Sequence, residues 1–489
     1  MTIFGKKLKS YIVNNEINVY KLAQKSGIER TAIYKIISMG RIPDIEYVQK
    51  LINAMSISPY EKEELWTAYN ISKYGEFIYN QRLQVKNLIE RMNTAFETTF
   101  PAIPPPDHLF PAQDTRVIHG ELAVNKIVDD ILTHEIYAEN PQVYFFMPHD
   151  HEFFFESLFF KYRCNNALKI ECLFEFSKSA DISLEQRNDN LDVIGTLLPF
   201  IMRSHGNFDA YYLYSSSPLH DRTALPMPYY LITSQYIVTL TAHMQTAVLH
   251  TNPVVIDCYK KIFIEAKAKS NPLITNITSL AETIRYYSAN TNVKSAGISG
   301  FGSHPCIAGF FDNEIIKKHL AIELPHRDMI VDTVKDIYAH MAETMSNGKS
   351  ASYFTMEGFN IFVEQGYIET LSEQFFSPFS PEERAYMLNR MISAIESETI
   401  IYRLINTSKL KIPKCFYVDV FNGSHMNIVV GDRTGGEVNT VNISEENVVE
   451  AFHDFLISMA ETDIVYSKKD MLQTLHNALT QLENGNMLV

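Results

Sequence analysis

Residues 18–43 read NVYKLAQKSGIERTAIYKIISMGRIP, and the first part of the fold is decided here. Asn18 suits an N-cap, because its side-chain oxygen can accept from a backbone N–H of the first turn. A helix is expected from Val19 to Lys25. Gly27 then falls where a helix end calls for a left-handed residue. A further helix is expected from about Glu29 to Met39, ended by Gly40 and kept from continuing by Pro43. Leu22, Ala23, Ile28, Ile33, Ile36 and Ile37 recur at helical spacing and should face inward. Upstream, Phe4, Leu8, Ile12 and Val13 predict a helix from Ile3 to Asn14. Downstream, Asp44 can cap a fourth helix through Met55. Ser58-Pro59 starts a fifth, with Pro at the first helical position and Glu61, Glu63 and Glu64 in the early turns.

The charge balance separates this head from the rest. The chain has 489 residues, 46% hydrophobic and 20% charged, with a formal net charge of −14. At about 100–200 residues per domain, two to four domains are expected. The composition excludes a mostly disordered chain, which would combine low hydrophobicity with high charge. No apolar run approaches the roughly 18–20 residues of a membrane helix. The start, MTIFGKKLKSYIVNNE, has no apolar signal core, so a soluble cytoplasmic protein is expected. The five cysteines (Cys164, Cys172, Cys258, Cys306 and Cys415) are scattered without CxxC spacing, which supports neither a disulfide framework nor a zinc knuckle. Residues 1–60 hold nine basic and four acidic side chains, a net +5, so the remainder carries −19. A small basic head on an acidic body is the asymmetry of a chain whose head alone meets a polyanion.

Two short helices joined by a tight glycine-containing turn form a helix-turn-helix layout. The stretch resembles the Xre family of phage-repressor-like domains at Leu22-Ala23, Gly27-Ile28, Ile33, Ile36, Gly40, Pro43, Val48 and Leu51, over about the first 60 residues. The resemblance implies double-stranded DNA as partner, with the third helix in the major groove. Arg30 would read guanine, Thr31 a base or thymine methyl, and Tyr34 would project beside them. Lys21, Lys35 and Arg41 would meet phosphate, which positions without specifying, and Asn18 would hold a phosphate at a helix start. Glu29 departs from this pattern, since it repels phosphate unless it accepts from cytosine or caps the helix. Reading two half-sites would call for a homodimer.

Beyond the head, Tyr69 to Met92 is expected as one long helix despite Gly75. PAIPPPDHLFP (101–111) is expected as an extended linker. The reading is a multidomain chain: an all-α helix-turn-helix head (1–68), a connecting helix and linker (69–111), and a two-lobed, duplicated α/β body. Its halves are placed at 112–290 and 330–489, with a bridge at 291–329. Strand-like runs such as QVYFFMP (142–148), ALKIECLFEF (167–176) and DAYYLYSS (209–216) alternate with helical ones, which points to α/β. PYYLITSQYIVTLTA followed by VVIDCYKKIFIEAKAKSNPLI is echoed by KCFYVDVFNGSHMNIVVGD, TGGEVNT and VVEAFHDFLISMAETDIVYS. Both blocks read hairpin, short strand, helix.

A two-lobed body of this layout resembles a degenerate phospholipase D-like duplication. His425, Asn427 and Asp432 keep the spacing of that family's signature, but asparagine stands where the resemblance calls for lysine. The first half has no counterpart. A histidine nucleophile needs a second histidine and cationic phosphate clamps, so no catalytic residue is assigned. His149-Asp150-His151-Glu152 is read as a capped loop after a strand, with no metal site and no cofactor. AGISGFGSHPC (296–306) is read as a flexible glycine-rich loop. The expected function is a sequence-specific transcriptional regulator with a sensing or oligomerising body, its effector a small molecule or peptide. The rivals are a nucleic-acid-directed phosphodiesterase and a non-enzymatic assembly protein.

Overall fold

The structure is a computed structural model. It describes residues 1–94, 115–177, 187–203, 206–215, 226–291, 295–321, 323, 326–347, 349–368, 370, 372–414, 416–431 and 438–483. Its contacts divide the chain into two units, Met1–Val85 and Lys86–Val489. The expected linker at 101–111 lies outside the described residues.

The first unit is helical: α1 (Ile3–Asn14), α2 (Val19–Ser26), α3 (Arg30–Met39), α4 (Ile45–Ala54), α5 (Pro59–Tyr74) and the start of α6 (Glu76–Thr94). One apolar cluster holds α1 to α5 together, with Phe4, Leu8, Leu22, Ile33, Ile36, Val48, Leu51 and Leu65 all essentially buried. Caps set the helix starts. Thr2 accepts from the Gly5 N–H, Asn18 from those of Tyr20 and Lys21, and Ser58 forms a reciprocal capping box with Glu61. The single long helix expected over 69–92 is instead two helices broken at Gly75. That residue holds φ +89° and ψ 155°, a conformation open essentially only to glycine.

The second unit contains two sheets. The first is built from β1 (Thr115–His119), α7 (Glu121–Glu135), β2 (Gln142–Phe146), α8 (Glu152–Cys164), β3 (Lys169–Ser177), α9 (Arg187–Arg203), β4 (Phe208–Ser215), β5 (Tyr229–Ile232), β6 (Ile237–Leu240), β7 (Thr246–His250), α10 (Pro253–Lys267) and β8 (Asn271–Pro272). The second takes β9 (Thr275–Ile277), α11 (Leu280–Asn290), β10 (Ile298–Gly302), α12 (Asn313–His319), α13 (Arg327–Asn347), β11 (Ser350–Phe354), α14 (Met356–Gln365), α15 (Pro381–Glu396), β12 (Ile400–Leu404), β13 (Phe416–Phe421), β14 (His425–Gly431), β15 (Val438–Ile443), α16 (Glu446–Met459) and α17 (Lys468–Glu483).

The strand orders are β1-β7-β6-β5-β2-β3-β4-β8 and β12-β11-β10-β13-β14-β15-β9. Within them, β4-β3-β2-β5-β6-β7 and β12-β11-β10-β13-β14-β15 follow one plan. Three parallel strands linked by helices are followed by an antiparallel meander. The echo in the sequence falls on matching elements, β5–β6 with β13–β14 and α10 with α16.

The glycine-rich run at 296–306 is not a loop. It contains β10, paired on both sides in the second sheet and buried along its length. The segment expected to bridge the halves therefore supplies a central strand. Glycine sits there for steric reasons. A Cβ at Gly300 would collide with the Tyr417 hydroxyl, and one at Gly302 with the Phe416 carbonyl oxygen.

The two sheets meet along the segment that joins them. β8 pairs with the edge of the first sheet and β9, two residues on, with the edge of the second. Beside this joint Glu445, the N-cap of α16, is fully buried. Its carboxylate accepts from the Val448 N–H at 2.9 Å and from Asn447 at 3.1 Å. From the first lobe it accepts from the Tyr214 hydroxyl at 3.0 Å and Asn190 at 3.3 Å. Removing the acceptor would strand several buried donors. Glu445→Ala is therefore expected to lower stability by about 2–4 kcal/mol in equilibrium urea unfolding, and Glu445→Gln by less, since one acceptor remains. Gly75→Ala, with nothing near the added methyl, should cost about 1–3 kcal/mol from backbone strain alone.

Candidate functional site

Among the described residues, two places have the chemistry of a site. The first lies on the head. α2 ends at Gly27, whose φ of +67° turns the chain within three residues into α3. Ile33, Ile36 and Ile37 bury one side of α3. Arg30, Thr31, Tyr34 and Lys35, at helical spacing, are left exposed on the other. Asn18, Lys21 and Arg41 are exposed as well, so all seven residues singled out in the sequence reach solvent. Arg30 lies over the Tyr34 ring, 5.3 Å from its centroid, and Thr31 donates to Glu29 at 3.3 Å. Glu29 stands at the N-cap position of α3 without making a side-chain cap, and among the described residues its carboxylate is held only by the Thr31 hydroxyl. The Asn18 oxygen is used in capping α2, which leaves its amide NH₂ to donate outward. Among the described residues no carboxylate pairs with Lys21, Arg30, Lys35 or Arg41. By contrast, Lys7 on α1 is neutralised by Glu64 at 2.8 Å.

The second is a cavity of about 430 Å³ in the second lobe, between the sheet face of β13 and helices α11 and α13. Its wall is mostly aromatic and aliphatic, with Tyr287, Phe311, Tyr338, Phe376 and Tyr417 among its rings. Tyr417 and Asp419, two apart on β13, share the face turned to it. Asp419 is only 9% exposed, and its carboxylate has no hydrogen-bond donor or cation among the described residues. Burial alone pushes its carboxyl up to about 7. His304, at the cavity edge, stacks on Tyr417 with centroids 4.7 Å apart and meets the Thr370 hydroxyl at 3.2 Å. Burial pushes its imidazole down to about 3, so it is neutral at physiological pH. The Cys306 thiol is pushed up to about 12, chiefly by burial, and is not an activated nucleophile. Sequence reasoning missed this site. The signal was present as a lone carboxylate inside the apolar strand CFYVDVF.

The remaining motifs fall elsewhere. His425 opens β14, stacked on Phe421 at 4.5 Å and edge-on to Tyr286. Burial pushes it down to about 4, and its Nε2 has no partner among the described residues. Asn427 is tied into an amide and phenol network with Tyr286 at 3.0 Å and Asn442 at 3.0 Å. Asp432 lies outside the described residues. His151 caps α8, accepting from the Phe154 N–H at 3.1 Å. Among the described residues, no group of three or more His, Cys, Asp or Glu could hold a metal, and no helix is long and apolar enough to cross a membrane.

No protein-family model and no curated protein matches the chain. Among solved structures it is similar to TrmBL2, an archaeal chromatin protein described as showing a novel mode of DNA binding. The identity is 14% over 44% of this chain and 71% of that one, with a TM-score of 0.22. It is also similar to the phosphatidylserine synthase of Haemophilus influenzae Rd KW20, at 7% identity over 82% of this chain and 97% of that one, with a TM-score of 0.25. Superpositions this loose carry no argument about function.

The buried acid makes stability depend on pH in a defined sense. The folded Asp419 carboxyl titrates above its unfolded value near 3.8, so the folded state binds the proton more tightly. The resulting penalty is absent below the unfolded pKa, grows as pH rises, and is complete above about 7. Asp419→Asn should therefore stabilise the chain, and by on the order of 2–3 kcal/mol more at pH 8 than at pH 5. Urea unfolding at the two pH values measures this.

Proposed function

We propose that this chain is a sequence-specific DNA-binding transcriptional regulator, with an Xre-like helix-turn-helix head and a non-catalytic body that senses an effector and pairs two copies. One observation carries the reading: Arg30, Thr31, Tyr34 and Lys35 form an exposed face of α3, with Lys21 and Arg41, unpaired among the described residues, exposed on the same small domain. A helix presented in this way can enter a major groove, with its early residues on base edges and the flanking cations on phosphate. The acidic remainder of the chain would be repelled by phosphate, which confines contact to the head. A head this small gains affinity and specificity when a homodimer reads two half-sites about one helical turn apart.

A phosphodiesterase reading finds little support. His425 is buried against Phe421, neutral, and next to an asparagine network with no cation in it. Histidine nucleophiles on phosphate need cationic clamps.

The test is a genome-wide footprint of the tagged chain beside the Arg30→Ala/Lys35→Ala double variant. Discrete sites that vanish in the double variant are expected, and unchanged or absent footprints overturn the reading. On a site so found, Arg30→Ala should cost about 1–3 kcal/mol and relax specificity at one base pair, whereas Lys21→Ala should lower the salt slope by about one without changing preference. Gel-shift titrations across salt concentrations distinguish the two.

A further inference from the structure

The second-lobe cavity has a built-in asymmetry. Its volume of about 430 Å³ lies within the range of small-molecule sites, about 300–1,000 Å³. Most of the surface facing it is apolar, although Thr278, Ser279, Thr283, Thr370, Ser372 and Thr440 add hydroxyls, and the one carboxylic acid there among the described residues, Asp419, is nine-tenths buried with no cation or donor of the chain beside it. Such a carboxylate is costly in the empty protein and is relieved by a partner that brings a positive charge and several N–H donors.

The neighbouring groups cannot supply that charge. His304 is neutral and engaged with Thr370, and Tyr287, Tyr338 and Cys306 all keep their protons. An anionic ligand would be repelled. A bare metal ion would find one carboxylate, an imidazole already bonded to Thr370 and a protonated thiol, and among the described residues no group of three or more His, Cys, Asp or Glu could hold one. A neutral polyol could use the Ser and Thr hydroxyls of the lining but would bring no positive charge to Asp419. Aromatic rings, however, favour a cation near their faces.

We infer that this cavity is the effector site, and that it takes an apolar small molecule carrying one basic nitrogen. The nitrogen seats on the Asp419 carboxylate, and the hydrocarbon body lies against Phe311, Tyr338, Phe376 and Tyr417. The inference deepens the regulator reading and rests on it for the word effector. The binding site itself stands on the cavity. The glycines of β10 belong to the same construction, because Gly300 and Gly302 leave room for the Tyr417 ring to lie across the sheet and wall the cavity.

The test uses the purified full chain at pH 7.5 and isothermal titration with matched probes: phenylbutylamine and phenyloctylamine, the corresponding alcohols, and the corresponding carboxylates. The amines are expected to bind at least about tenfold more tightly than the alcohols, and the carboxylates not at all. Asp419→Asn, confirmed folded by its melting curve, should abolish the preference for amine over alcohol while alcohol binding stays within about twofold. No amine binding to the unaltered chain, equal binding of amine and alcohol, or amine binding unaffected by Asp419→Asn each overturns the inference. The preference measured on the unaltered chain decides alone should the variant not fold. Arg30→Ala/Lys35→Ala is the control that separates the two readings. The double variant should lose its footprints and keep amine binding, whereas amine binding by an unaltered chain that leaves no footprint on DNA sinks the regulator reading and leaves the site. Footprints without amine binding do the reverse.

Discussion

The Glu445 carboxylate ties together two sheets whose strands come from separate parts of the chain. It is fully buried, and it accepts from two donors of its own lobe and two of the other. Burial raises its pKa, while the backbone and side-chain donors around it pull the other way. A buried acceptor this well supplied is compatible with the low-dielectric joint, whereas the same carboxylate with its donors removed would not be. The strand pair β8 and β9 makes the same joint in backbone form, leaving one sheet edge and entering the other within a few residues.

Asp419 is the opposite arrangement of the same chemistry. It too is a carboxylate in a nearly dry surrounding, but it faces a cavity and finds no donor among the described residues. The contrast separates an acid supplied with donors from an acid that meets none among the described residues. The head supplies a third case: Lys21, Arg30, Lys35 and Arg41 stand in water, with no carboxylate paired to them among the described residues, and there an unpaired charge costs little. Across the molecule, the surroundings of a charge, more than its residue type, decide what it does.

Local signals made the head legible. Caps at Asn18 and Ser58, Gly27 as the left-handed turn residue and the inward isoleucines act within a few residues of themselves, so a one-dimensional reading captures them. Gly75 shows the limit. An incomplete apolar stripe runs on both sides of it, so the sequence predicts one continuous helix, although the backbone there takes a conformation no continuing helix can use. The repeat in the body was visible because hairpin, strand and helix recur in the same order, and the shared strand plan is its three-dimensional counterpart.

What the sequence by itself determined was the division into a basic helical head and an acidic, two-lobed α/β body, because composition, periodicity and capping are properties of neighbouring residues. The tertiary structure decided the rest. ISGFG reads as a loop by its glycines, yet it is a central strand paired on both sides, and its glycines leave room for Tyr417 and the Phe416 backbone, more than a hundred residues away. Asp419 reads as one acid among many, yet only the packing of α11 and α13 over β13 leaves it facing a mostly apolar cavity with no partner among the described residues. Both facts depend on contacts between residues far apart in the chain, and burial, space and the absence of a partner exist only once those residues have met.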